Sequence, residues 1–149
     1  MNLTLIKKEM ASIEHINVLR APIAKVYEAL TTKEGLSSVW TTELNVKAEP
    51  GFINEFSFGK DTDRFEIKTL VPNQRILWHC IDSDPEWIGT SVSFDLEEKN
   101  GKTFVTLKQT GWADVTEFYR HCNYNWAFFL YSLKCYCEEG KGINYQQRQ

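Results

Sequence analysis

Apolar and polar positions near the start of the chain predict one strand followed by two short helices. In residues 13–20 the apolar side chains of Ile16 and Val18 alternate with polar neighbours, a period that is typical of a strand. Residues 21–32 carry a proline suited to a first helical turn and then repeat apolar side chains at helical spacing. Residues 33–40 predict one or two further helical turns. A strand therefore leads directly into the helical segment.

From residue 43 the pattern changes to period two and keeps it for roughly 65 residues, which predicts a run of strands. The predicted strands are residues 43–48, 52–58, 64–71, 75–81, 90–98 and 103–111. In the third of them, Phe65, Ile67 and Thr69 share one face. In residues 75–81, apolar side chains occupy both odd and even positions, so periodicity alone does not show which face of that strand is buried. The turns between successive strands predict an antiparallel meander with one buried face.

After residue 113 the apolar spacing changes to steps of three and four, which predicts a long C-terminal helix. Asp114, with Glu117 three residues later, has the form of a capping box that begins this helix. The predicted apolar stripe comprises Val115, Phe118, Tyr119, Cys122, Trp126, Phe129, Leu130, Leu133 and Cys137. Gly140 supplies a stop. A helix of about seven turns, roughly 38 Å long and apolar on one side, must lie across the sheet.

The composition fits one domain over residues 1–149 and is rich in aromatic side chains. A chain of 149 residues is long enough to bury about two thirds of the surface that its unfolded form exposes. Aromatic residues make up 13% of the chain, and five of them are tryptophans. So many rings require either a thick core or a cavity that they line.

Charge and hydropathy narrow the classes of partner and compartment. The formal net charge of -3 at pH 7 argues against a general affinity for nucleic acid, which requires clustered Lys and Arg. The apolar run within residues 1–10 is too short for a signal peptide and precedes its charges. No apolar window of the sequence approaches the roughly 20 residues of a membrane span. We therefore expect a cytoplasmic protein without membrane insertion, in which the four cysteines stay reduced.

Residues 121–140 concentrate residue types that serve metal and redox sites, with one of the three histidines and three of the four cysteines. In a continuous helix, Cys122 and Cys135 are about 20 Å apart, too far for one metal ion to bind both. Cys135 and Cys137 point about 200° apart around the axis, so they neither chelate together nor form an unstrained disulfide. We therefore expect Cys122 and Cys137 to be small buried apolar residues, and we predict no metal and no cofactor.

The sequence contains no recognisable catalytic motif. The three histidines lie far apart, outside any H-E-x-x-H pattern, and the glycines are scattered at turns instead of forming a phosphate-binding loop. Solvated surface charge explains the acidic pairs at residues 97–98 and 138–139. An active site assembled from residues that are distant in the sequence is left open.

The order of one strand, two short helices, six strands and a long helix resembles the helix-grip fold of the START and Bet v 1-like (SRPBCC) superfamily. Within it, the chain resembles the activator of Hsp90 ATPase homologue 1-like (AHSA1-like) family. The resemblance rests on "APIAKVYEALTTKEGLSSVW", "EPGFINEF", "LVPNQRILW", "TFVTLKQTGW" and "HCNYNWAFFLYSLKCYCEEGKG". In the last segment, His121, Trp126, Leu133, Lys134 and Gly140 stand where the family tends to carry those residues. The resemblance implies an α+β fold, in which a curved antiparallel sheet with two short helices wraps around a long C-terminal helix.

The resemblance also implies a cavity between the sheet and the long helix, which in relatives binds lipids, hormones or polyketides. We therefore predict a small binding module for an apolar or aromatic ligand. Its candidate site residues are Trp40, Phe56, Phe58, Trp78, Phe94, Phe118, Cys122 and Trp126, with Gln109 and Tyr119 as polar contacts. For each of these residues, plain packing in the core is the alternative explanation. Gln109 departs from the family, which frequently carries a His near that point.

Three further hypotheses accompany the binding module. Some relatives perform cyclisation or condensation, so a cyclase- or aromatase-type enzyme could use the same cavity with a buried acid or base. A chaperone cofactor for an Hsp90-type ATPase is suggested by the family name, but the eukaryotic activator has an additional N-terminal domain for which this chain has no room. A homodimer is suggested by Phe128, Tyr131 and Tyr136, which would leave aromatic surface on the exposed side of the helix.

Overall fold

The computed structural model describes residues 10–148 of the chain and shows an α+β fold. The strands are β1 (Ala11–Leu19), β2 (Leu44–Asn45), β3 (Ile53–Phe58), β4 (Asp61–Val71), β5 (Arg75–Asp82), β6 (Ser91–Lys99) and β7 (Lys102–Trp112). The helices are α1 (Ile23–Thr31), α2 (Lys33–Val39) and α3 (Glu117–Glu139), followed by a short 3₁₀ helix over Tyr145–Arg148. The predicted order of strands and helices is confirmed.

The strands form one curved antiparallel sheet of seven strands, in the order β1-β7-β6-β5-β4-β3-β2. Strands β2 to β7 follow one another as a meander, while β1 pairs with β7 along nearly its whole length. Helices α1 and α2 connect the two edge strands, and α3 packs against α1, α2 and β1. This arrangement is the helix-grip fold that the sequence predicts.

The sheet presents one apolar face to the helices, and this face decides the orientation of β5. Ile76, Trp78 and Cys80 are buried, whereas Leu77 and His79 are only half-buried. Periodicity alone does not orient β5, and in the structure the strand is oriented so that Trp78 faces the core. The same face of the neighbouring strands supplies the aromatic centre of the core.

The prediction that Thr69 shares a face with Phe65 and Ile67 is wrong. An irregularity in the pairing of β4 with β5 lies between Ile67 and Thr69, so that Ile67 is opposite Trp78 but Thr69 is opposite Leu77. A bulge adds one residue to one strand and reverses the alternation beyond it. Leu70 takes the inward position instead and packs against the core.

The long helix begins two residues later than a cap at Asp114 requires. Thr116 is the N-cap, with extended backbone angles, and its hydroxyl oxygen accepts a hydrogen bond from the backbone N–H of Tyr119 at 3.1 Å. Val115 therefore precedes the helix and is exposed, not part of the apolar stripe. The predicted stop is confirmed, since Gly140 ends the helix with a φ of 86°.

A row of polar contacts joins β1 to α3, although the sequence pattern there indicates only an alternating strand. The Asn17 amide donates to the Leu130 carbonyl at 2.8 Å, and the Tyr119 hydroxyl donates to the Ser12 carbonyl at 2.6 Å. The Lys134 ammonium donates to the Val18 carbonyl at 2.9 Å. Tyr119 and Lys134 thus occupy two backbone carbonyls of β1, an edge strand of the sheet, which limits pairing with another chain.

Residues 141–148 turn back from the end of α3 and fasten onto the α2 region. The backbone N–H of Gly142 donates to the Ser38 hydroxyl at 3.0 Å, and that of Ile143 donates to the Ser132 hydroxyl at 2.7 Å. The backbone N–H of Tyr145 donates to the Trp40 carbonyl at 2.7 Å. We call residues 141–148 the return segment, and its last turn reaches the functional site.

Candidate functional site

An open cleft of about 770 Å³ lies at one end of the sheet. Its walls come from the β3–β4 hairpin, the β5–β6 connection, the first half of α3 and the return segment. Elements that are distant in the sequence thus meet around one space. A volume of this size is within the range of small-molecule sites, roughly 300–1,000 Å³.

Aromatic rings form the floor of the cleft. Trp87 and Trp126 stack with their ring centroids 5.8 Å apart and their planes at 13°. Trp40 lies 5.4 Å from Trp126, and Phe129 lies 5.4 Å from the same indole. Phe118 extends this floor towards the start of α3, at 6.4 Å from Trp87. The floor is closely packed, with Trp126 2% and Trp87 8% exposed, so a small part of each ring borders the open cleft.

A chain of hydrogen bonds fixes the two stacked indoles. The Trp126 indole N–H donates to Oε1 of Gln109 at 2.7 Å, and the Gln109 amide donates to the Thr90 hydroxyl at 3.1 Å. That hydroxyl donates to the Trp87 carbonyl at 2.6 Å. The Trp87 indole N–H in turn donates to Sγ of Cys122 at 3.2 Å. Each of these polar groups has a hydrogen-bond partner, so the indoles are held in place before any ligand binds.

Half of the residues predicted for the site line the cleft and half do not. Trp40, Phe58, Phe118, Cys122 and Trp126 line it. Phe56, Trp78 and Phe94 do not, since they are fully buried core residues that support the floor from behind. Neither of the two proposed polar contacts faces the cleft: the Gln109 amide is used inside the core, and the Tyr119 hydroxyl is bonded to β1.

Loops and the return segment bring further residues to the cleft that the sequence pattern does not predict. Trp87, Asp63 and Ser83 belong to the β4 start and the β5–β6 connection, and Tyr145 and Arg148 belong to the return segment. A tryptophan inside the polar stretch "DSDPEWIG" is the one signal that the sequence offered. The remainder have no periodic pattern, because the fold alone brings them together.

A wall of carboxylates and hydroxyls stands beside the aromatic floor. Asp61, Asp63 and Asp84 line the cleft together with Ser83, whose hydroxyl donates to Oδ1 of Asp63 at 2.5 Å. Burial raises the pKa of Asp63 above its ordinary value, and the negative charges of neighbouring aspartates raise it further. The bond from Ser83 acts in the opposite direction. Asp63 is therefore a half-buried carboxylate beside an apolar surface.

Three of the four thiols, those of Cys80, Cys122 and Cys137, are packing groups. Burial raises the pKa of Cys122 to about 12, and it does the same for Cys80 and Cys137. A thiol that stays protonated is a poor nucleophile and a poor metal ligand. Cys122 is buried as predicted, whereas Cys137 is only half-buried. Within residues 10–148, no group of three or more His, Cys, Asp or Glu is placed to hold a metal ion.

The family assignment follows from a match over most of the chain. The model of the family described as activator of Hsp90 ATPase homolog 1-like protein matches residues 20–138. The chain belongs to this AHSA1-like family. The matched residues of this AHSA1-like chain include α1, α2, strands β2 to β7 and the greater part of α3, so the resemblance that the sequence suggests is confirmed. No curated protein matches the chain.

Solved structures place this AHSA1-like chain among similar folds. The Aha1 dimer from Colwellia psychrerythraea is 38% identical, with a TM-score of 0.83 over 89% of this chain and 100% of that chain. DynU16, from the dynemicin biosynthetic locus, is 21% identical, with a TM-score of 0.74 over 88% of this chain and 48% of that one. CalU16 from Micromonospora echinospora is 17% identical, with a TM-score of 0.70 over 85% of this chain and 74% of that one. The latter two show likeness of fold only.

A membrane-spanning helix is not found among residues 10–148 of this AHSA1-like chain. The longest helix, α3, has Glu117, Arg120 and His121 among its exposed residues.

Proposed function

We propose that the protein is a small binding module that holds an apolar or aromatic ligand in the cleft. The observation that carries this proposal is the floor of stacked indoles, Trp87 and Trp126, at the base of an open space of about 770 Å³. Both indoles are mostly packed in the core, and a ligand in the cleft would contact the part of each ring that the core leaves uncovered. A flat apolar molecule would cover these rings and release the water above them.

The rigidity of the floor supports the same proposal. The hydrogen-bond chain from Trp126 through Gln109 and Thr90 to Trp87 fixes the indoles before binding. A prebuilt site loses little conformational entropy when it is filled, which favours affinity. The site thus needs no rearrangement to accept a ligand.

Thermal-shift measurements with a panel of apolar and aromatic compounds test this proposal. A compound that binds only the folded state must raise the melting temperature, and the shift must grow with its concentration. We expect aromatic members of the panel to stabilise the wild-type protein. A panel that gives no stabilisation at any concentration would count against a binding function.

A matched pair of variants shows whether the cleft is the site. Asn125 lines the cleft from α3, so Asn125→Trp fills it with an indole. Asn123 is exposed on the same helix, about 200° round the axis, so Asn123→Trp adds the same bulk elsewhere. We expect the ligand-induced shift to persist in Asn123→Trp and to disappear in Asn125→Trp. An equal shift in both variants would place the ligand outside the cleft.

A cyclase- or aromatase-type enzyme is the second candidate, and Asp63 is the observation that favours it. Such an enzyme needs an ionisable group in its cavity with a perturbed pKa, and Asp63 lines the cleft with a raised pKa. Mass spectrometry of each stabilising compound after incubation separates the two candidates. Conversion that stops in Asp63→Asn indicates the enzyme, and recovery of every compound unchanged indicates the binding module.

We also propose that the protein forms a homodimer through an outward stripe of α3. Tyr124 and Tyr131 are 71% and 55% exposed, and Phe128 lies between them on the same side of the helix. The related Aha1 from Colwellia psychrerythraea is described as a dimer. The prediction that Tyr136 belongs to this exposed side is wrong, since Tyr136 is buried beneath the Lys25 ammonium, which lies 4.7 Å from its ring.

A further inference from the structure

Given the proposed binding function, the polar wall of the cleft determines which ligands fit it. Asp63 lies at the start of β4, and its carboxylate borders the same space as the stacked indoles of Trp87 and Trp126. One of its oxygens accepts the bond from Ser83 at 2.5 Å. A ligand that rests on the floor is therefore within reach of a carboxylate that is already oriented.

The nearby arginine does not neutralise Asp63. Arg64, the next residue on β4, points to the other face and pairs with Asp82 at 2.6 Å and with Glu55 at 3.2 Å. None of the ion pairs among residues 10–148 includes Asp63. The charges that act on Asp63 are those of Asp61, Asp84 and Asp82, all of the same sign. The carboxylate is therefore partly desolvated without an ion pair to any cation of the described residues.

The cations of the cleft are placed at its rim. The Arg148 guanidinium lies over the Phe128 ring at 4.5 Å, where a cation–π contact holds it. Lys60 is exposed at the β3–β4 turn. Carboxylates outnumber these two cations among the lining residues, since Asp61, Asp63 and Asp84 all contribute. The space beside the floor is therefore favourable to positive charge.

We propose that the ligand carries a protonated amine beside an aromatic body, with the amine bound by the Asp63 carboxylate and the body seated on Trp87 and Trp126. The geometry meets both needs of such a molecule, because the carboxylate gives a charge-assisted hydrogen bond and the indole faces attract a neighbouring cation. The aromatic body supplies the apolar burial. The amine distinguishes this ligand from a lipid or a neutral ring.

Three probes that share one ring and differ in charge test the proposal. Naphthylmethylamine is a cation at pH 7, naphthylmethanol is neutral and naphthoic acid is an anion. We expect isothermal titration calorimetry to show the amine binding about tenfold more tightly than the alcohol, the gain typical of a charged hydrogen bond. The acid should bind more weakly than the alcohol, because it faces three carboxylates.

Asp63→Asn is the diagnostic variant, because the asparagine oxygen still accepts the bond from Ser83 while the charge is removed. We expect this variant to reduce the advantage of the amine over the alcohol to within about twofold, with little change for the alcohol. Glu98→Gln removes an equal charge from an exposed position of β6 that does not line the cleft. This control should keep the full advantage of the amine.

The outcomes separate this inference from the binding function on which it rests. Equal affinities of amine and alcohol for the wild-type protein would overturn the inference and leave the binding function intact. A preference for the amine that survives in Asp63→Asn would overturn the role of Asp63. Failure of all three probes, together with the wider panel, would overturn both proposals. The wild-type comparison does not depend on the folding of any variant.

Discussion

The side-chain amide of Gln109 holds together the indole rings that form the cleft floor. It accepts from Trp126 at 2.7 Å and donates to Thr90 at 3.1 Å, and it is fully buried. The parity of β7 predicts that Gln109 points inward with Val105 and Leu107. Its partners could not be predicted, because they lie 17 and 19 residues away on other elements.

Gln109→Leu should destabilise the protein by about 1–3 kcal/mol, since the Trp126 N–H would be buried without an acceptor. Urea unfolding followed by far-UV circular dichroism measures this loss. Combining Gln109→Leu with Trp126→Phe removes both partners, so the double variant should lose less than the sum of the two single variants. Strict additivity would mean that this hydrogen bond contributes little.

The ionisation of Asp63, taken by itself, should lower the free energy of unfolding of the unliganded protein at neutral pH relative to acid pH. Its folded pKa is raised above the ordinary value of 3.8, so the folded state binds more protons than the unfolded state between the two pKa values. The free energy of unfolding therefore falls as pH rises through that interval. The penalty is complete once pH exceeds the folded pKa.

Asp63→Asn should consequently raise the melting temperature at pH 7 by a few degrees, the effect of roughly 1 kcal/mol in a domain of this size. The gain should vanish near pH 3, where the carboxyl is protonated in both states. Differential scanning calorimetry over this pH range checks the result, with Glu98→Gln as the matched control. A lower melting temperature for Asp63→Asn than for the wild-type protein at pH 7 would refute the proposal that the ionised Asp63 destabilises the fold.

At the scale of elements, the sequence pattern identifies each helix and strand but not the details at their ends. Asp114, the predicted N-cap, and Thr116, the observed N-cap, are both short polar residues just before the first turn of the helix. The choice between them depends on where the chain leaves β7, which is a tertiary feature. The bulge between Ile67 and Thr69 escapes periodicity for a similar reason, because pairing with β5 produces it.

The return segment depends on one close approach at Gly142. A Cβ added there would lie 2.4 Å from the Ser38 carbonyl oxygen and 3.0 Å from the Ser132 hydroxyl. The Ser38 backbone cannot move aside to relieve this clash, as the end of a flexible side chain could. Only glycine therefore lets residues 141–148 lie against α2 and carry Tyr145 and Arg148 to the cleft.

Gly142→Ala should detach the return segment and lower stability by about 1–3 kcal/mol. Hydrogen exchange should accelerate at the amides of Ile143 and Tyr145, whose bonds to Ser132 and Trp40 would be lost. Lys141→Ala, at the exposed preceding residue, should leave both amides protected. Unchanged protection in Gly142→Ala would show that the segment tolerates the clash.

At the scale of the whole molecule, the fold is more predictable than the site. Strand order and the long helix follow from hydrophobic periodicity and from the resemblance to a family, since each element carries its own signal over many residues. The cleft carries no such signal. Core rings such as Phe56 and cleft rings such as Trp87 have the same chemistry, and only the three-dimensional packing separates them.

The proposed homodimer predicts a concentration-dependent mass in solution. Multi-angle light scattering should give twice the mass of 17.4 kDa at high concentration, because the stripe of Tyr124, Phe128 and Tyr131 would be covered. Substituting Tyr124→Glu together with Tyr131→Glu should yield the monomer. A wild-type monomer at all concentrations would exclude the dimer, and a dimeric double variant would assign it to another surface.

The stacked pair of Trp87 and Trp126 also gives the protein an optical signature. Two indoles 5.8 Å apart are close enough for their electronic transitions to couple, so the pair should contribute a band of its own to the circular dichroism of the protein. A ring that enters the cleft would lie against the same chromophores and perturb that band, together with their fluorescence. The chain thus carries an intrinsic reporter at the place where a ligand is proposed to bind, and no added label is needed to follow occupancy.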